Sequence, residues 1–101
     1  MDLSIRKKEQ EIIVTIEGEI TAQECETFSN QLIKIADEKP PIVVLDMGKV
    51  PFVDSSGLGV LVGLKTHMKK NNVELVLKNL QDDVWKVFEM TRLSKIFPLS
   101  E

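Results

Sequence analysis

The sequence KVPFVDSSGLG occupies residues 49–59 and sets how the rest of the chain folds. It follows the apolar run IVVL at 42–45, which is typical of a buried strand, and it leads into an apolar helical pattern that begins near Ser56. Two serines, an aspartate and two glycines therefore lie where a strand passes into a helix. The first turn of a helix presents unpaired backbone N–H groups and partial positive charge. A hydroxyl held there, near solvent, lies where a phosphate is tolerated.

Ser55 is therefore a candidate phosphorylation switch, and the surface around it is a candidate protein-docking site. A purely structural interpretation also fits, because Asp and Ser are common helix caps and a strand-to-helix turn needs such residues. The residues alone leave both open. The functional interpretation is favoured by position, because α/β folds place their sites where strands of a parallel sheet end.

Length and composition predict one compact globular domain covering residues 1–101, with 43% hydrophobic and 29% charged residues. The chain begins with Met and spends few residues outside its predicted elements, so we expect a whole small protein. Every apolar run is far shorter than the ~18 residues of a membrane span. The N-terminus lacks a basic region followed by an apolar core, so no signal peptide is visible.

The net charge and the cysteine content limit which partners and which cellular compartment the sequence favours. The net charge is −3, which does not favour a nucleic-acid partner. Cys25 is the only cysteine, so it has no internal disulfide partner, which suits a reducing cytoplasm. We therefore expect a cytoplasmic protein that binds neither nucleic acid nor a membrane.

The first half of the chain predicts a hairpin followed by a helix. Residues 3–7 and 11–17 read as strands joined by a short polar turn, and so as an antiparallel pair. Gly18-Glu19-Ile20 ends the second strand. Thr21 and Glu24 have the spacing of a capping box and predict the start of a helix. The run Lys39-Pro40-Pro41 ends that helix.

The second half predicts two further strand–helix units and a C-terminal edge strand. Residues 42–47 are apolar on both faces apart from one aspartate and read as a central strand. A helix from about 56 to 70, a strand at 73–77, a helix at 81–91 and an edge strand at 96–99 follow. The order β-β-α-β-α-β-α with a C-terminal edge strand predicts a small mixed sheet with its helices mainly on one face.

Several single residues admit more than one interpretation. Gly63 inside an apolar helix suggests a close approach of helix to sheet. Leu58, beside the serines, reads equally as an exposed anchor for a partner or as core. We expect His67 on the surface, Cys25 in the core, and Trp85 in packing or at an interface.

Catalytic interpretations fail one by one. A nucleophile elbow needs Gly two residues before the serine, where this chain has Val53. His67 lies roughly 18 Å of helical rise beyond Ser55, too far to activate it. Val62 replaces the third glycine of a dinucleotide fingerprint, and no Gly-Lys-Ser/Thr motif or metal-ligand spacing is present. The sequence therefore predicts a protein with no enzymatic activity, cofactor or metal. A small serine hydrolase remains the competing hypothesis from another class.

These residues resemble a known family. The segments 43–46 (VVLD) and 53–60 (VDSSGLGV) are similar to the STAS domain of bacterial anti-sigma factor antagonists. The segment 18–20 (GEI) resembles the family's Gly-Glu-Leu/Ile before its first helix. The segments 87–91 and 93–97 resemble its last helix and tail, so the likeness covers nearly the whole chain.

The resemblance implies a partner-switching protein of the STAS fold. In that family the serine after the aspartate, here Ser55, is phosphorylated by the anti-sigma factor, a serine kinase, and a serine phosphatase removes the phosphate. The unphosphorylated form binds the anti-sigma factor and frees sigma. The implied partner-binding residues are Asp54, Ser56, Gly57, Leu58, Ile20, Thr21 and Val87. We expect a monomer or a weak dimer.

One departure from the family pattern concerns Thr21, which stands where the family often has aspartate. A carboxylate beside the phosphorylation loop is thereby lost. Related STAS domains also serve as unphosphorylated scaffold subunits in transporters, lipid-transport complexes and stress-signalling assemblies. A constitutive scaffold is therefore the alternative to the switch.

Overall fold

The computed structural model describes residues 1–97 and the backbone of residues 99 and 100. Its strands and helices follow the order that the sequence predicts, with a short 3-10 turn added before the last strand. They are β1 (Asp2–Lys7), β2 (Glu11–Glu17), α1 (Ala22–Asp37), β3 (Ile42–Lys49), α2 (Ser55–Lys70), β4 (Glu74–Lys78), α3 (Asp82–Met90), a short 3-10 turn (Leu93–Lys95) and β5 (Leu99–Ser100).

The five strands form one sheet in the order β1-β2-β3-β4-β5. β1 pairs with β2 antiparallel, and the other three pairs are parallel. The predicted edge hairpin and the predicted central position of residues 42–47 are confirmed. Because each crossover moves one strand further in the same direction, right-handed connections put the three helices on one face of the sheet.

The core lies between that face and the helices. Alternate residues of the central strands point into it, because side chains along a strand alternate between faces. These strand residues are Ile12, Val14, Ile16, Val43, Leu45, Met47, Leu75 and Leu77. α1 contributes Phe28 and Leu32, and α2 contributes Leu61 and Met68, all four with no exposed surface. Burying each such side chain contributes roughly 1.5–3 kcal/mol, and this packing fixes the positions of the helix termini.

The C-terminal strand lies further along than the sequence predicts. Ile96 and Phe97 are not in a strand, because they follow the 3-10 turn. The Phe97 ring packs edge-on against Phe88 with 5.8 Å between centroids. The strand is instead Leu99–Ser100, which pairs with β4 in parallel at the sheet edge. Pro98, which was part of the predicted strand, lies outside the described residues.

The predicted role of Gly63 is wrong. Gly63 is exposed, and a Cβ added to it meets nothing within 4 Å. The close approach of α2 to the sheet occurs instead at Gly57.

His67 is also less exposed than predicted. The His67 side chain faces the end of α1, where its Nε2 lies 3.7 Å from Asp37 Oδ1, and it is therefore half-buried. Cys25 is buried, as predicted.

Candidate functional site

Two loops at the carboxyl ends of β2 and β3 are held together by backbone hydrogen bonds. Ile20 and Val53 form an isolated parallel bridge between the loops. The N–H of Ile20 donates to the carbonyl of Phe52 at 3.0 Å, and the N–H of Asp54 donates to the carbonyl of Ile20 at 3.1 Å. The loop before α1 and the loop before α2 therefore form one rigid unit.

Asp54 caps two helices at once. Its Oδ1 accepts a hydrogen bond from the backbone N–H of Gly57 in the first turn of α2 at 2.8 Å. Its Oδ2 accepts from the N–H of Ala22, the first residue of α1, at 3.0 Å. A charged acceptor at a helix N-terminus satisfies an unpaired donor and also complements the helix dipole. One carboxylate thus fixes both helix starts relative to each other.

The capping box predicted at Thr21 and Glu24 does not form. Thr21 does occupy the position before α1, but its side chain makes no capping hydrogen bond. The Glu24 N–H donates instead to the Thr21 backbone carbonyl at 2.9 Å. The side-chain cap of α1 comes from Asp54, 32 residues further along the chain. The carboxylate missing at position 21 therefore has a counterpart from the neighbouring loop.

Gly57 is the contact point between α2 and the rest of the site. A Cβ added there would lie 2.6 Å from the Ile20 carbonyl oxygen and 2.8 Å from Val53 Cγ1. Distances below 3 Å require the backbone to move, so only glycine fits this position. The absence of a side chain lets the first turn of α2 lie directly on the Ile20–Val53 bridge.

Ser55 and Ser56 are the first two residues of α2, and both are exposed. The structural cap of α2 is Asp54, so neither serine is needed as its cap. In the described part of the chain, no backbone hydrogen bond uses the N–H of Ser55 or of Ser56. The first turn of α2 carries no acidic residue. The Ser55 hydroxyl is therefore accessible, beside two free N–H donors and the positive end of a 16-residue helix.

Cys25 lies beneath this site in the first part of α1. Burial, and to a lesser extent the negative charge of Asp54, raise the pKa of its thiol. A thiol held protonated in this way is a poor nucleophile. Cys25 therefore serves the site as packing.

The structure divides the predicted partner-binding residues into two groups. Asp54, Ser56 and Thr21 lie at the surface of the unit formed by the two loops, together with Ser55. The Ile20 side chain is fully buried and Gly57 is buried. These two residues shape the site from below, because the Ile20 side chain is covered and Gly57 has no side chain to offer a partner.

Leu58 and Val87 are intermediate cases. Leu58 is half-buried and packs against the core, so the two interpretations offered for it each hold in part. Val87 is half-buried on α3, and its carbonyl accepts a hydrogen bond from the Thr91 hydroxyl at 2.7 Å. No described hydrogen bond places Val87 in the unit that carries Ser55.

Sequence reasoning missed two features of the site. The first is the link from Asp54 to Ala22, which joins residues 32 positions apart. The second is Phe52, whose side chain is 48% exposed although it lies in an otherwise apolar segment. Val50 and Val53 are buried while Pro51 and Phe52 between them are exposed, and no pattern in the sequence marked this difference.

The described residues contain no group of three or more His, Cys, Asp and Glu side chains placed to hold a metal ion. Among them, too, the helices are all too short or too polar to cross a membrane. His67 faces Asp37 at the end of α1 and is not among the residues around Ser55. The site therefore offers a positioned hydroxyl, and the residues that the structure gathers around it supply no general base from a histidine.

The STAS domain family model matches residues 2–101. The chain therefore belongs to the STAS domain family. Within that family it is similar to anti-sigma factor antagonists. It is 32% identical to an anti-sigma-B factor antagonist of Listeria monocytogenes, over 98% of this chain and 90% of the relative.

Two solved structures show the same fold at lower identity. An anti-sigma factor antagonist from Thermotoga maritima superposes with a TM-score of 0.91 at 17% identity, covering 98% of this chain and 86% of that one. The phosphorylated form of the Bacillus cell fate determinant SpoIIAA superposes with a TM-score of 0.74 at 16% identity, covering 99% and 92%.

Proposed function

We propose that this protein is an anti-sigma factor antagonist that is switched by phosphorylation of Ser55. In the unphosphorylated form it binds an anti-sigma factor serine kinase and so releases the sigma factor. Phosphorylation of Ser55 by that kinase ends the binding, and a serine phosphatase restores it. The domain itself catalyses no reaction in this cycle.

The observation that carries the proposal is the exposed Ser55 hydroxyl at the first position of α2, directly after the Asp54 cap. A kinase needs a hydroxyl that it can reach on a backbone that is held in place. Ser55 is exposed, and its backbone is held in place because the helix start is fixed by Asp54 and by the Ile20–Val53 bridge. The similarity to an anti-sigma-B factor antagonist over nearly the whole chain supports an anti-sigma factor as the partner.

The geometry also supports a switch that acts without refolding. A phosphate adds about −1.5 to −2 charges and three acceptor oxygens. The N-terminus of α2 offers unused N–H donors and the positive end of its dipole, which tolerate such an anion. The phosphorylated form of SpoIIAA keeps a fold that superposes on this unphosphorylated chain. The loss of affinity then arises at the interface, where phosphate and Asp54 would face the nucleotide phosphates of the kinase.

The proposal is tested in the cells that make the protein. Protein purified from those cells is digested, and its phosphorylation state is read by mass spectrometry. We expect a population phosphorylated at Ser55 and none at Ser56. A constitutive scaffold subunit would show no phosphorylated population at all. The hydrolase hypothesis is tested by incubating the purified protein with a generic ester. We expect no turnover, and hydrolysis of the ester would support the hydrolase hypothesis instead.

A further inference from the structure

We infer that Phe52 is an apolar anchor for the partner that reaches Ser55, and that this partner has an apolar pocket beside its phosphoryl-transfer site. The inference rests on the proposed function and adds to it a recognition residue outside the serine motif. Phe52 precedes Ser55 by three residues and lies in the loop that leads into α2.

An exposed aromatic side chain is not by itself a docking site, since single apolar residues on a surface are common. Five large apolar side chains are exposed among the described residues: Ile5, Phe52, Trp85, Met90 and Ile96. Phe52 differs from the other four because it lies in the loop that leads into α2, three residues before the Ser55 hydroxyl. A partner that covers Ser55 therefore also comes close to Phe52.

The backbone around Phe52 is fixed. Its carbonyl accepts a hydrogen bond from the N–H of Ile20 at 3.0 Å. Val53, the next residue, is 5% exposed and pairs with Ile20. Pro51, the preceding residue, has a backbone φ restricted by its ring. Phe52 is thus held on both sides while its own side chain remains 48% exposed.

An exposed aromatic ring on a fixed backbone has the properties of an interface hot spot. Aromatic side chains bury a large apolar area, and Phe has only two side-chain torsions to restrict on binding. Because the loop is already ordered, its ordering adds little to the cost of association. Alternation explains why the side chain points outward, since Val53 occupies the inward position next to the core.

Phe52 carries no charge, so its role differs from that of Ser55. Phosphorylation changes the electrostatics of the interface but leaves the apolar contact in place. We therefore assign Phe52 to recognition and positioning of the Ser55 loop in the kinase, in both binding and phosphorylation. Removing its ring should raise the KM for phosphorylation of Ser55 and leave kcat unchanged, which is the signature of lost uniform binding.

The test compares Phe52→Ala with Met90→Ala. Met90 is 83% exposed and lies at the last residue of α3, so truncating it controls for the loss of an exposed apolar side chain elsewhere. Each variant is titrated calorimetrically against the purified cognate anti-sigma factor kinase, and its melting temperature is measured. We expect Phe52→Ala to lose tenfold or more in affinity at an unchanged melting temperature, and Met90→Ala to bind like the parent.

If Phe52→Ala lowers the melting temperature, Phe52→Gln serves instead, because it keeps side-chain length but removes the apolar ring. Equal binding and equal KM for the parent and a folded Phe52 variant would overturn the inference while leaving the proposed function intact. Failure of the parent protein itself to bind the kinase would overturn the proposed function, and this inference with it.

Discussion

Asp54 Oδ2 accepts a hydrogen bond from the backbone N–H of Ala22 at 3.0 Å, so the residue next to the candidate phosphorylation site also caps the preceding helix. The same carboxylate caps α2 through Gly57 at 2.8 Å. The two helix starts that border Ser55 thus share one anion. Any change in the charge or position of Asp54 should therefore weaken the N-terminal cap of both helices.

Replacing Asp54 should therefore cost two caps. Loss of one N-cap typically costs about 1 kcal/mol, so we expect Asp54→Ala to lower the free energy of unfolding by about 2 kcal/mol. Asp54→Asn keeps only one side-chain oxygen and should lose about half as much. Urea denaturation measures both changes. Asp83→Ala, in the first turn of α3, is the control for removing a single exposed carboxylate, and it should change stability by a few tenths of a kcal/mol.

A stability of Asp54→Ala equal to that of the parent protein would show that the shared cap contributes nothing. Hydrogen exchange of the Asp54→Ala variant tests the two caps separately. If the Gly57 amide lost protection and the Ala22 amide kept the protection it has in the parent protein, the carboxylate would cap α2 alone.

The two glycines of α2 should respond in opposite directions to alanine. At Gly57 the new Cβ would lie 2.6 Å from the Ile20 carbonyl oxygen, so α2 must move away from the sheet. We expect Gly57→Ala to destabilise the fold by about 2 kcal/mol or more, within the range of overpacking. Gly63→Ala meets open space and should stabilise the protein by up to ~1 kcal/mol through helix propensity. Denaturation midpoints of the two variants decide the matter, and a stable Gly57→Ala protein would contradict the close approach.

Much of this fold could be predicted from local patterns. The alternation in β2 and the apolar run of β3 predicted the hairpin and the central strand. The cap of α1 could not be found in this way, because its acceptor is Asp54, 32 residues from Ala22. Nor could sequence distinguish Gly63 from Gly57, since spacing within a helix does not tell which residue lies over the Ile20 carbonyl.

The candidate site was predicted in its centre and less well at its margin. The serine motif marked the exposed hydroxyl because strand, cap and helix follow one another within ten residues. The burial of Ile20 depends on the bridge to Val53, which is a contact between separate loops. The exposure of Phe52 depends on the same bridge, since that bridge fixes which of its neighbours faces the core.

Leu58 should contribute to both binding and stability. It is half-buried against the core, so Leu58→Ala should lower stability by about 1 kcal/mol, more than expected for a fully exposed anchor. Its position next to the serines should add a loss of ~1–2 kcal/mol in partner binding. Val62→Ala is the matched control, because Val62 is also half-buried one turn further along α2. We expect it to lose stability and to keep its affinity in calorimetric titration.

If Leu58→Ala lost stability and bound the kinase as tightly as the parent, Leu58 would be a core residue only. If Val62→Ala lost as much affinity as Leu58→Ala, the effect would reflect a loosened helix and not a contact.

Substitutions at the two serines should separate the switch from its neighbour. Ser55→Ala cannot accept a phosphate and should bind the anti-sigma factor kinase constitutively. Ser55→Asp places a negative charge at the start of α2 and should bind poorly. Ser56→Ala should still be phosphorylated, because the modified hydroxyl belongs to Ser55. Phosphorylation assays with purified kinase and ATP, read by mass spectrometry, test all three. If phosphate were found on Ser56, or if Ser55→Asp bound as tightly as the parent, the assignment of the switch to Ser55 would be wrong.

The most direct test of the account is a calorimetric titration of the cognate anti-sigma factor kinase with unphosphorylated and with Ser55-phosphorylated protein, alongside their thermal unfolding. Bringing like charges together at the interface costs several kcal/mol, and each ~1.4 kcal/mol is a factor of ten. We predict a hundredfold or greater loss of affinity on phosphorylation, with a melting temperature that does not fall. Equal affinity of the two forms, or loss of binding that accompanies unfolding of the phosphorylated protein, would contradict a switch that acts at the surface of an intact fold.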